Sequence, residues 1–168
     1  MPANIDPSND LRGLSADELA KLGEESLRDH IAAQSVLAHH KHAPLTFARL
    51  EALLSDAECL RYPVRLVFEF GEMAAHQFAA PGVDLRNPEQ NGRVLCLRPL
   101  LRDRPDLAVL AVAYMIPVIN YGDIITDEHC LRYGATLLGM MEEEFYEAIC
   151  QMADVAGAEA EARPPLRG

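Results

Sequence analysis

The stretch PVRLVFEFGEMAAHQFAAPG, residues 63–82, joins the two helical halves of this chain, and its conformation sets the fold class. Pro63 suits the first turn of a helix, where its missing N–H breaks no bond. The stretch therefore predicts a helix from Val64 to Ala79 that stops at Pro81–Gly82. Arg65, Glu69, Glu72 and His76 then share one helical face, and Leu66, Phe70, Met73, Ala74 and Phe78 share the opposite one. With this helix in place the expected fold class is all-α, a compact bundle of about six helices. A small β-hairpin or an extended excursion is expected at residues 83–98.

Toward the N-terminus, Ser15 opens a helix. Glu18 completes a capping box, and Leu14 staples onto Leu19. Leu19, Leu22, Leu27, Ile31 and Leu37 keep a helical period that fades before Pro44. Thr46 is the next N-cap, with Phe47, Leu50, Leu53, Leu54, Ala57 and Leu60 as one apolar stripe. Toward the C-terminus, Asn91–Gly92 is a turn signal between two short β-favouring pieces. Asp106 to Tyr121 is an apolar helix containing Pro117, and Thr126 to Leu138 is another, closed by Gly139. Glu142, Glu143 and Glu144 suit the first turn of a last helix that faces Phe145, Ile149 and Met152 inward. The expected organisation is a flexible leader (1–13), a single helical domain (14–156) and a disordered tail (157–168).

The chain carries 26 acidic residues against 15 basic ones, a net charge of −11. Such a surface repels phosphate backbones and anionic membrane surfaces, so neither nucleic acid nor membrane insertion is expected. The apolar run Leu107 to Ile119 is shorter than a membrane span and predicts a buried core helix. Cys59, Cys96, Cys130 and Cys150 form no C-x-x-C pair, which fits free thiols in a reducing cytoplasm. Leu95, Leu97, Leu100 and Leu101 exceed what a helical core takes up, so a protein partner or self-association is expected.

The motifs are sparse. In VINYGDIITDEHC, residues 118–130, Gly122, Ile124 and Glu128 fall at the glycine, aliphatic and bidentate-acid positions of an EF-hand loop. The positions that should supply oxygen ligands hold Pro117, Ile119 and Tyr121 instead. A turn with positive φ at Gly122, anchored by Ile124 and Ile125 and followed by a Thr126 cap, explains the stretch without calcium. His39, His40 and His42 sit at a helix C-terminus, where cationic groups are favoured. Cys130 and His129 are neighbours on a helix and point about 100° apart, which argues against a dyad. No nucleotide-binding loop, nucleophile elbow or organic-cofactor motif is present. The acidic start of the last helix argues against a helix-turn-helix. The remaining candidate is a divalent-metal site on the face of Glu69, Glu72 and His76, completed by Glu128 and His129 or by one of Glu142, Glu143 and Glu144.

VLAVAYMIPVINYGDIITDEHCLRYGATLLGMMEEEFYEAI, residues 109–149, resembles the tellurite-resistance TerB-like helical family. The shared features are the apolar helix, the glycine Gly122, the LLGM of Leu137 to Met140 and the EEEF of Glu142 to Phe145. Tyr121 stands where that family has the acid before the glycine, and His129 stands where it has the acid of the following helix. The resemblance implies an all-helical fold and a stress-linked accessory role without a known reaction. The expected function is a non-enzymatic, soluble helical accessory or interaction protein. A divalent-metal protein using the Glu/Glu/His face is the alternative.

Overall fold

The computed structural model describes residues 13–162. Residues 1–12 of the expected leader and 163–168 of the expected tail lie outside them. Among the described residues the order is α1 (Ala16–His42), α2 (Leu50–Leu54), β1 (Val64–Phe68), β2 (Ala79–Val83), β3 (Arg93–Leu97), α3 (Pro105–Tyr121), α4 (Asp127–Leu138) and α5 (Glu142–Ala162). The chain is mostly helical, but it is not all-α.

The correction falls on residues 63–82. Val64 to Phe68 form a strand, residues 69–78 are turns and loop, and Ala79 to Val83 form a second strand. Val64, Leu66, Phe68 and Phe70 also alternate at the strand period, and the run is rich in β-favouring side chains. Tertiary pairing decides between the two periods. β3 lies in the middle of the sheet, parallel to β1 with Leu66 opposite Leu95, and antiparallel to β2 with Pro81 opposite Leu95. Phe68, Leu97 and Ala79 likewise lie in one row. This face meets the core, where Leu95 and Leu97 have no solvent exposure. The expected hairpin is present as β2 and β3, joined through Asp84 to Gly92, with Asn91 at φ 54°. Its first strand begins at Ala79, ahead of the expected stretch.

The β1–β2 crossover is held by one side chain. Arg98, 2 % exposed, donates from Nε to the Gln77 carbonyl at 3.0 Å and from Nη2 to the carbonyls of Ala74, Ala75 and Gln77 at 3.0, 2.9 and 2.8 Å. Arg65 does not pair within its own element. It reaches Asp84, with Nε to Oδ2 at 3.2 Å and Nη2 to Oδ1 at 3.0 Å, and ties β1 to the hairpin loop.

The long helices form where their sequence signals place them, and the short one does not. The Ser15–Glu18 capping box forms. Only the C-terminal half of α1 enters the core, through Ile31, Ser35 and Ala38, while Leu19 and Leu22 stay exposed. The helix expected from Thr46 to Leu60 is instead a 3-10 turn (Phe47–Arg49) followed by the five-residue α2. Thr46 makes no capping bond there. α3 runs through Pro117 and carries the centre of the core at Ala108, Val112 and Ile116. Its most apolar window spans Pro105–Ile124, long enough by composition to cross a membrane, yet just over half of it is buried inside the protein. Gly122 ends α3 at φ 65°, and Gly139 ends α4 in the left-handed region at φ 66°. Ile125 packs on the core whereas Ile124 is exposed. Phe145, Ile149 and Met152 are buried as expected. α5 continues to Ala162, past the expected start of the tail.

Leu95, Leu97 and Leu101 are buried and Leu100 packs against them. The sheet supplies the internal core that a purely helical reading could not. These leucines therefore give no reason for self-association.

Candidate functional site

The residues of the expected Glu/Glu/His face are not on a helix. Glu69, Glu72 and His76 are exposed on the crossover that follows β1, where no 3.6-residue period aligns them. Glu128 and His129, at the start of α4, have local partners. Glu128 pairs with Arg132 at 2.7 Å, and Arg132 also approaches Glu142 at 3.8 Å. His129 completes the Thr126 capping box: its Nδ1 accepts from the Thr126 N–H at 3.2 Å, and its own N–H donates to Thr126 Oγ1 at 3.4 Å.

No activated nucleophile stands out among the thiols. All four cysteines are free. Burial, with the nearby Asp127 carboxylate, pushes the Cys130 thiol up to about 12. Burial, with Asp56, pushes Cys59 up to about 11. The Cys130–His129 pair is no dyad, because one partner is core and the other is a helix cap. Tyr133 is 1 % exposed and its hydroxyl has no hydrogen-bond partner among the described residues. Removing an unsatisfied buried hydroxyl relieves its desolvation cost. Tyr133→Phe is therefore expected to leave the fold as stable or to stabilise it by about 1 kcal/mol in urea unfolding. A loss of stability would mean that the hydroxyl has a partner after all.

A polar cluster joins the end of α1 to the turn after α2. Asp56 Oδ2 takes the Lys41 ammonium at 2.7 Å and His42 Nε2 at 2.7 Å, and Cys59 Sγ lies 3.6 Å away. Asp56 Oδ1 accepts from the Glu58 N–H at 3.0 Å, so the carboxylate is fixed from both sides. The Lys41 hydrogen bond, and then that of His42, hold the Asp56 carboxyl well below the usual carboxylate range. Among the described residues, the ligand-type atoms of His42, Asp56 and Cys59 are the one such set within 4.8 Å of one another.

A second open feature lies along β1. Arg93 N–H donates to the Pro63 carbonyl at 2.8 Å. In a parallel ladder, alternate residues of one strand bond to the same neighbour. Pro63, Arg65 and Val67 therefore face β3, while the N–H and C=O groups of Val64, Leu66 and Phe68 face away from it. None of these outward groups has a backbone partner among the described residues. β2 forms the other edge, and there Pro81 occupies an outward position and removes its donor. The β1 edge opens into a groove of about 520 Å³. One wall is β1 itself, and the other is the segment from Phe47 to Ser55, chiefly Phe47, Ala48, Leu50, Glu51 and Leu54. Phe47 and Phe68 meet across it with ring centroids 6.3 Å apart.

Sequence reasoning missed this groove because it read β1 as helix, and an edge exists only once a sheet does. The β-branched and aromatic run at Val64 to Phe68 is the signal that points to it. No protein-family model, no curated protein and no solved structure matches this chain.

Proposed function

We propose that this chain is a non-enzymatic interaction module of the cytoplasm, in the TerB-like manner, that docks an extended segment of a partner protein along β1. The observation that carries the reading is the unpaired edge of Val64, Leu66 and Phe68 beside an apolar groove. Strand addition satisfies such an edge through main-chain bonds, and pockets for alternate side chains set the preference. Val64, Leu66 and Phe68 direct their side chains to the core face, so apolar residues at every second position of the partner suit the groove. A single extended segment fits better than a second copy of this chain. The β1 edge of another copy carries its own Phe47–Ser55 wall, which would meet this one. The burial of the Cys59 and Cys130 thiols agrees with a binding role.

The test is selection of a displayed library of random extended peptides on the full chain, compared with two variants. Leu66→Pro removes an outward N–H and costs no ladder bond. Ala48→Trp fills the groove from its other wall and leaves β1 untouched. Peptides enriched on the native chain, with apolar residues at alternate positions, are expected to lose about tenfold or more in affinity for either variant. Melting curves check that the variants fold. Enrichment that is equal on the native chain and on a folded Ala48→Trp protein would overturn the reading.

A further inference from the structure

We propose that His42, Asp56 and Cys59 form a binding site for a thiophilic divalent ion, with Zn²⁺ as the natural occupant. The inference is independent of the docking groove and uses none of the residues of the expected Glu/Glu/His face.

The ligand atoms are one imidazole nitrogen, one carboxylate oxygen and one thiol sulfur. This mixed set suits Zn²⁺ or Co²⁺ and does not suit Mg²⁺ or Ca²⁺, which take oxygen. In a tetrahedral zinc centre, neighbouring ligand atoms stand about 3.3–3.8 Å apart, given the usual bond lengths. Cys59 Sγ to Asp56 Oδ2, at 3.6 Å, is already in that range. His42 Nε2 to Asp56 Oδ2, at 2.7 Å, needs to widen by roughly 0.6 Å to reach it. The set is also held in place. Cys59 and Leu60 donate their N–H groups to the Asp56 carbonyl at 3.0 and 2.9 Å, which shapes the turn that presents both ligands. Cys59 is 3 % exposed, and the side chains of His42 and Asp56 are 12 % and 13 % exposed.

A purely structural ion cluster would need Lys41, His42 and Asp56. The Cys59 S–H also donates weakly to the same Asp56 oxygen, which adds a soft ligand atom to the imidazole and carboxylate. Lys41 already places a cation on Asp56, and it has somewhere else to go. Its ammonium stands 3.5 Å from Glu58, and the side chain is 31 % exposed. Ion uptake then proceeds by simple exchange. The Cys59 S–H proton leaves to solvent as the sulfur–metal bond forms, Lys41 moves from Asp56 to Glu58, and water takes the fourth position. Binding fastens the end of α1 to the turn that follows α2.

The experiment is a Co²⁺ titration of the full, reduced, untagged chain, followed by Zn²⁺ competition. The expected result is a near-ultraviolet sulfur-to-cobalt band that saturates at about one equivalent and is erased by Zn²⁺. Cys59→Ser, a near-isosteric change, is expected to abolish the band. Cys150→Ser, at an exposed cysteine outside the cluster, is expected to keep it. His42→Gln and Asp56→Asn are expected to weaken binding by about tenfold or more. Because each variant can lose stability, the native chain is also melted with and without Zn²⁺, and a higher melting temperature with the ion is expected. A native chain that gives no band overturns the proposal, as does a band that survives in Cys59→Ser. Cobalt taken up without a sulfur band, as imidazoles such as His39 and His40 would take it, overturns it too.

Discussion

Replacing Arg98 by alanine is expected to lower stability by about 3 kcal/mol and to open residues 69–78 to protease. Arg98 is 2 % exposed, and its guanidinium donates to three backbone carbonyls of one loop. It also lies 5.6 Å from the centre of the Phe70 ring. Hydrogen bonds from a charged donor contribute about 1.5–3 kcal/mol each before the cost of burying the donor is counted. The residues that receive them, Ala74, Ala75 and Gln77, are themselves exposed. Their carbonyls turn to water once Arg98 is gone, which keeps the loss below the simple sum. Arg98→Lys is expected to recover only a minor part, because a point-like ammonium cannot span three carbonyls as a planar fork does. Urea unfolding and limited proteolysis together read the effect. Unchanged proteolysis with a loss under about 1 kcal/mol would show that the loop's own turns are sufficient. Those turns are Met73 N–H to Phe70 C=O at 3.1 Å and Gln77 N–H to Ala74 C=O at 3.1 Å.

Gly134→Ala is the second large effect. Gly134 lies on α4 under the ring of Phe145, which has no solvent exposure. A methyl group built at Gly134 clashes with Cζ and Cε1 of that ring. The helical backbone itself tolerates alanine, and alanine is the better helix former. The whole cost is therefore steric. α4 and α5 have to separate, or Phe145 has to leave the core. Overpacking of this kind costs about 3 kcal/mol or more. The double change Gly134→Ala with Phe145→Leu separates this cause from any other. Leucine leaves room for the methyl group, so the pair is expected to be more stable than Gly134→Ala alone and strongly non-additive. Additive losses would mean that Gly134 is needed for a reason other than the ring.

These two positions differ in how far they can be read from the chain. Gly134 sits in a helix whose cap at Thr126 and stop at Gly139 are both plain in the sequence. Its partner, Phe145, is also plain as an inward residue of α5. What joins them is only their packing. Arg98 offers no local sign of its role, since its partners lie more than twenty residues away in a segment with ambiguous periodicity. The candidate sites divide in the same way. His42 belongs to a visible histidine cluster, but Asp56 and Cys59 become its neighbours only because the chain reverses after α1 and brings the turn that follows α2 against its end. The β1 edge has its signal in Val64 to Phe68, yet the same residues satisfy a helical stripe from Leu66 through Phe70 and Met73.

The sequence by itself determined the helices that carry their own boundaries. Ser15 with Glu18, Thr126, Gly122 and Gly139 mark ends through bonds to the backbone within a few residues, and such bonds do not depend on the rest of the fold. It also determined the buried faces of α3 and α5, because long apolar periods have one consistent reading. Only the tertiary structure decided the sheet. A strand of five residues holds no hydrogen bond of its own, and its stability comes from partners distant in sequence: Leu95 beside Leu66 and Leu97 beside Phe68. Once those pairs form, the helical alternative for residues 64–79 loses its core contacts. The exposed Glu69, Glu72 and His76, the open edge of β1 and the Arg98 anchor all follow from that one choice.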